Sequence, residues 1–184
     1  MNVKKISLKL VALAIITFMF GFGIATGLDR STISEQQQML ATIGKLSLTQ
    51  SQLINAVEKA QLTVYWAGPL AGYSYSLSTD NAGSTVVRYL ATKADLNATT
   101  NSARMIATYV SDNAFSQTQS VAAKKGNTSF VNADKSLVFY RSTNPNDIFL
   151  SFPKKNVQVE IFDPHAGQAL SLAVLAGQIT RIGA

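Results

Sequence analysis

The chain has 184 residues, 47% apolar and 14% charged, with a net charge of +6 and no cysteine. That length holds one domain plus an extension, and the missing cysteine excludes disulfides, thiolate catalysis, cysteine-ligated metals and a lipoprotein lipobox together. The positive charge invites nucleic acid, but without residues 1–28 the 13 basic and 10 acidic side chains leave only +3, scattered enough that no nucleic-acid partner is expected and an anionic envelope component fits better.

Residues 1–9 form a basic segment carrying Lys4, Lys5 and Lys9. An uncharged run of 19 residues follows, from Leu10 to Leu28. As a helix it spans roughly 28 Å, close to the hydrocarbon thickness of a bilayer, and a helix satisfies its own backbone polar groups in lipid. Residues 10–28 therefore read as an N-terminal transmembrane helix. The lysines before it, with Asp29, Arg30 and Glu35 after it, put the N-terminus in the cytoplasm and the remainder outside. A cleaved signal peptide is the competing reading, with small residues at Gly23, Ala25 and Gly27 available to a peptidase. Both readings deliver the domain outside the cytoplasm. Gly23 and Gly27 also have the spacing of a weak helix-pairing motif, the one hint of dimerisation.

Residues 29–61 read as a helical stalk with a break at Gly44. Thr32-Ile33-Ser34-Glu35 matches a capping box, and Ser47-Leu48-Thr49-Gln50 a second one, ahead of Leu53, Ile54, Val57 and Ala60 on one face. The second helix is expected to pack on the domain.

From residue 62 the pattern changes to short strands. Leu62–Ala67 ends at Gly68-Pro69. Tyr73, Tyr75 and Leu77 alternate with serines, predicting an aromatic face toward the core. Asp80–Gly83 is a turn into the returning strand Thr85–Leu90. A polar stretch from Thr92 to Ala103 precedes the strand Met105–Val110 and a helix from Ser111 or Asp112 to about Lys125, ended by Gly126. Thr128–Val131, Leu137–Arg141, Ile148–Phe152 and Val157–Phe162 read as four more strands, with turns at 132–135, Asn144-Pro145-Asn146 and 154–156. Asp163-Pro164 then opens an apolar helix, aspartate as cap and proline at the first position. Ile179–Ile182 reads as a last short strand. Residues 62–184 are thus expected to be one α+β domain: an antiparallel sheet with its helices packed on one face. The match of Met105–Phe115 to Val157–Gly167 suggests an internal duplication of a four-strand-plus-helix unit.

Val64-Tyr65-Trp66-Ala67-Gly68-Pro69, Gly72-Tyr73-Ser74-Tyr75, Val87-Arg88-Tyr89-Leu90 and Val159-Glu160-Ile161-Phe162-Asp163-Pro164 carry a resemblance. With Ala107-Thr108-Tyr109 and Asn113-Ala114-Phe115, they resemble a family of single-span, uncharacterised actinobacterial envelope proteins. The resemblance covers about residues 62–184 and implies placement and domain limits, but no activity.

Few side chains point to chemistry. His165, the single histidine, offers a general base or metal ligand, but no Gly-x-Ser-x-Gly accompanies it and one histidine makes no zinc site. It reads as a solvated helix-end residue. Asp80, Asp112, Asp134, Asp147 and Asp163 sit at turns and caps, where aspartate serves local hydrogen bonds. Glu160 lies on the outward face of a strand, so no glycosidase-like pair is expected. No catalytic residue, cofactor or metal is assigned. A ligand or partner surface, if the domain has one, is expected among Tyr65, Trp66, Arg88, Tyr89 and Arg104, with the polar stretch 92–103 beside it. The expectation is a membrane-anchored, single-pass, non-enzymatic domain that binds a protein or anionic component of the cell envelope. The alternative is a small-ligand carrier or enzyme with a pocket between sheet and helices.

Overall fold

The computed structural model describes residues 43–80, 83–97, 102–175 and 177–183. The transmembrane reading of residues 10–28 and the first half of the stalk lie outside them. Among the described residues, no helix is long and apolar enough to cross a membrane.

Seven strands form one antiparallel sheet in the order β2-β3-β4-β8-β7-β6-β5: β2 Ser74–Thr79, β3 Thr85–Leu90, β4 Met105–Val110, β5 Asn127–Val131, β6 Leu137–Arg141, β7 Asn144–Ser151 and β8 Val157–Phe162. Two short strands, β1 Tyr65–Trp66 and β9 Thr180–Arg181, pair with each other over one face. Among the described residues three helices pack on the sheet: α1 Gln50–Lys59, α2 Ala114–Ala122 and α3 Gln168–Val174. The chain lays down β2-β3-β4 as one meander and β5 to β8 as another. They join where β4 lies against β8 with Met105 opposite Phe162 and Val110 opposite Val157.

Strict alternation gives the sheet two different faces. On the inner face Leu77, Val87, Ile106, Ile148, Val159 and Ile161 are buried beneath α1, α3 and the β1–β9 pair. Each such side chain contributes about 1.5–3 kcal/mol on burial. α1 is held from both ends. Thr49 and Gln52 form a capping box, Gln52 N–H donating to Thr49 Oγ1 at 3.3 Å and Thr49 N–H to Gln52 Oε1 at 2.9 Å. Leu53 and Val57 then enter the core. The cap is Thr49 rather than Ser47 because Leu48 is already in a bridge with Tyr75, while Ser47 donates to Ser74. The packed unit therefore takes in residues read as stalk.

The outer face corrects the expectation that all helices share one side. α2 lies on it: Gln158, which points away from the inner core, donates to Thr118 of α2 at 2.7 Å. Leu137 and Phe139 pack with Ala122 and Phe115 in a separate cluster, where the Phe139 and Phe149 rings stack at 4.9 Å. Leu137, Phe139 and Phe149 make the outer face apolar at the β6–β7 end as well, so that face too is covered by a helix. The suggested duplication falls with it. A two-fold relating β4 to β8 would put both following helices on one face, whereas α2 and α3 lie on opposite ones.

Two local expectations are also corrected. Asn144-Pro145-Asn146 is strand, not turn: Arg141 pairs with Asn144, and a bulge between Tyr140 and Arg141 leaves Pro145 without a β6 partner, where its missing N–H is tolerated. Asp163 does not cap α3. The helix starts five residues later behind Gly167, whose φ of 78° lies in the left-handed region that glycine adopts freely.

Candidate functional site

Strand pairing decides where the polar side chains meet. Arg104 immediately precedes β4 and Asp163 immediately follows β8. Since those strands are antiparallel neighbours with Met105 opposite Phe162, the two residues emerge side by side. Arg104 Nε donates to Asp163 Oδ2 at 2.7 Å, and the Arg104 guanidinium lies 5.5 Å from the centre of the Tyr89 ring. The other oxygen, Oδ1, accepts from the His165 backbone N–H at 2.9 Å and lies 3.0 Å from His165 Nδ1. Asp163 is buried to 1% exposure, Arg104 is at 17% and the His165 ring at 78%. Burial by itself would raise the Asp163 carboxyl. The His165 N–H, the Arg104 and His165 side chains and the Arg104 charge outweigh it, holding the carboxyl below the ordinary carboxylate range.

These residues line a cleft of about 220 Å³ at the end of the sheet. Tyr73, half-exposed, and Leu70 form one wall; Asp95, in a 3-10 turn at Lys93–Asn97, forms another. That turn lies in the polar stretch 92–103, of which residues 98–101 lie outside the described part. Tyr89 is pinned beneath the cleft: its hydroxyl accepts from Ala67 N–H at 2.9 Å and donates to Gly68 C=O at 3.0 Å, while burial raises its ionisation. Tyr75 holds the same loop by accepting from Leu70 N–H at 2.9 Å.

The five residues expected to form one surface are divided. Tyr65 and Trp66 are core residues, 5% and 7% exposed, packed on Phe152 and Tyr75. They offer no stacking platform. Arg88 points to the outer face and donates to the Asp95 carbonyl at 3.1 Å, holding the 3-10 turn. Only Tyr89 and Arg104 reach the cleft. Tyr73, read as core, lies just before β2 and is half-exposed there. His165 is solvated as expected, but one ring nitrogen is held by Asp163.

No known protein family, curated protein or solved structure matches the chain. The chemistry must therefore be read from these side chains alone.

A second cluster lies on the outer face and was missed entirely. Tyr109 of β4 donates to Glu160 of β8. Asp147 of β7 stands diagonally across from Glu160 on the same face, since Asp147 pairs with Phe162 and Phe149 with Glu160. Asp147 Oδ1 is buried and accepts no hydrogen bond. Burial first, then the charge of Glu160 and a hydrogen bond to it, push the Asp147 carboxyl up to about 7, against the pull of Arg141. The same burial and the Glu160 charge raise the Tyr109 hydroxyl. The like charge of Glu160 on the same face thus adds to burial in keeping the proton on Asp147. Among the described residues, no three His, Asp or Glu gather to hold a metal ion.

Proposed function

We propose that the protein is a membrane-anchored binding domain that meets a component of the cell envelope outside the cytoplasm, through the cleft between Tyr73, Asp95, Arg104 and His165. The observation that carries this reading is the arrangement around Asp163. One buried carboxylate fixes a guanidinium and an imidazole toward the same open space, which is the pre-organisation a recognition site requires. The space between sheet and helices is filled by buried side chains, so a carrier or enzyme with a pocket there has no support from the packing. The lysines ahead of the apolar run 10–28 support the anchor and its orientation.

Two measurements test this. Protease added to spheroplasts should digest the domain; protection would contradict the outward orientation. Crosslinking of the membrane-inserted protein should capture an envelope component, and Ala91→Trp, which fills the cleft from an exposed position, should abolish the capture. Unchanged capture by that variant would show that the cleft is not the binding site.

A further inference from the structure

Resting on that reading, we infer that the cleft recognises a carboxylate on a single small unit that also carries a hydroxyl or ammonium donor, as in an acidic sugar or a peptide C-terminus. The donors define the anionic end. Arg104 uses Nε on Asp163, and among the described residues neither of its Nη nitrogens has a hydrogen-bond partner. The Tyr89 ring, 5.5 Å from the guanidinium carbon, and the bond to Asp163 restrain Arg104, which lines the cleft and has its two Nη nitrogens available as a fork. His165 has Nδ1 on Asp163 and lines the same cleft, its Nε2 being a donor only when the ring is protonated. Arg104 therefore meets the carboxylate with its two Nη nitrogens, while Asp163 balances the charge of the guanidinium.

The other wall sets the rest of the ligand. Asp95 lines the cleft and keeps one oxygen, Oδ2, on the Thr92 N–H at 2.7 Å. Its negative charge excludes a purely anionic guest and favours one presenting a donor toward it. The half-exposed Tyr73 ring and Leu70 give an apolar flank for the body between the two ends. A cleft of about 220 Å³ has room for one sugar or amino-acid unit, and a longer chain must leave along the open side.

Because His165 is the only histidine, its imidazole signals form an isolated NMR probe in the full chain held in detergent micelles. Titration with glucuronate and, separately, with an N-acetylated dipeptide that ends in serine with a free carboxylate should shift those signals saturably for at least one of the two, which also tells sugar from peptide. Glucose and the dipeptide amide, lacking the carboxylate, should leave them in place. Arg104→Lys, which keeps the charge and loses the fork, should weaken binding about tenfold, the usual loss on removing a charge-assisted hydrogen bond. Asp95→Asn, at the cleft's other wall, should weaken it and should fold like the parent. Binding of glucose as tight as glucuronate, or no saturable shift with either acid, overturns the inference. Should the acids fail while Ala91→Trp still abolishes envelope capture, the cleft is the site and its ligand is of another class. Should Ala91→Trp leave capture intact, the functional reading itself is lost.

Discussion

Asp147 and Asp163 stand almost side by side at one end of the β7–β8 ladder and meet opposite fates. Asp147 is paired across the ladder with Phe162, the residue before Asp163, and Asp163 N–H donates to the Asn146 carbonyl at 3.1 Å. Alternation sends one side chain to the outer face and the other to the inner. On the inner side Asp163 finds Arg104 and His165 and stays ionised well below the ordinary range. On the outer side burial comes first and the like charge of Glu160 adds to it, and the Asp147 carboxyl is pushed up to about 7. The backbone supplies the same place to both; the neighbour on each face decides the charge.

The largest expected effect comes from removing the favourable neighbour. Asp163→Asn should lower the unfolding free energy by about 3 kcal/mol, because it leaves the mostly buried Arg104 guanidinium without its counter-charge. Trp66 is the only tryptophan and is buried, so its fluorescence during urea unfolding of the detergent-solubilised chain reports the loss. A double replacement, Arg104→Met with Asp163→Leu, should recover most of it.

Next is the pH dependence, where the two aspartates should pull in opposite directions. Asp147 has a folded value near 7, raised above an unfolded value near 3.8. Its contribution is therefore fully present below about pH 4 and is lost as pH rises through 7. The full shift corresponds to about 4 kcal/mol at about 1.4 kcal/mol per unit, and partial solvent screening reduces the expected loss to about 2 kcal/mol. Asp147→Asn should flatten stability between about pH 4 and 7. Asp163, with a lowered value, contributes above the ordinary carboxylate range and loses that contribution as pH falls below it. Urea midpoints collected from pH 3 to 9 separate the two slopes.

Smaller changes sharpen the inner side. Tyr89→Phe removes two hydrogen bonds, from Ala67 N–H and to Gly68 C=O, and should cost about 1–2 kcal/mol. It should also loosen the cleft wall, measurable as faster amide exchange at Ala67. Gly167→Ala meets no atom within 4 Å. It should cost about 1 kcal/mol from the positive φ alone, seen as a shift in the same urea midpoint.

Much of the fold is legible residue by residue. β3, β4, β6 and β8 begin and end where the alternation places them, because branched and aromatic side chains at every second position have one workable conformation. What alternation cannot say is which strands become neighbours. Arg104 and Asp163 are 59 residues apart, and their meeting follows only from β4 lying against β8. That pair resembles two copies of one unit in sequence and is in fact the central ladder. Asp147 was hidden for a local reason. Asn144-Pro145-Asn146 carries every mark of a turn, and only the bulge after Tyr140 keeps those residues in the strand and turns Asp147 toward Glu160. Glu160 read correctly as outward, but outward at this position is a second, partly covered face, and one strand's pattern does not reveal what its neighbour presents there.

The most direct test is a carbon-13 titration of the aspartate side-chain carboxyls in the full chain, with Asp163→Asn and Asp147→Asn assigning the two signals. The Asp147 carboxyl should titrate near pH 7, and the Asp163 carboxyl should stay ionised to below the usual carboxylate range. If both titrated together near pH 4, the two faces would not differ as described, and neither the raised Asp147 carboxyl nor the lowered Asp163 carboxyl that holds Arg104 would stand.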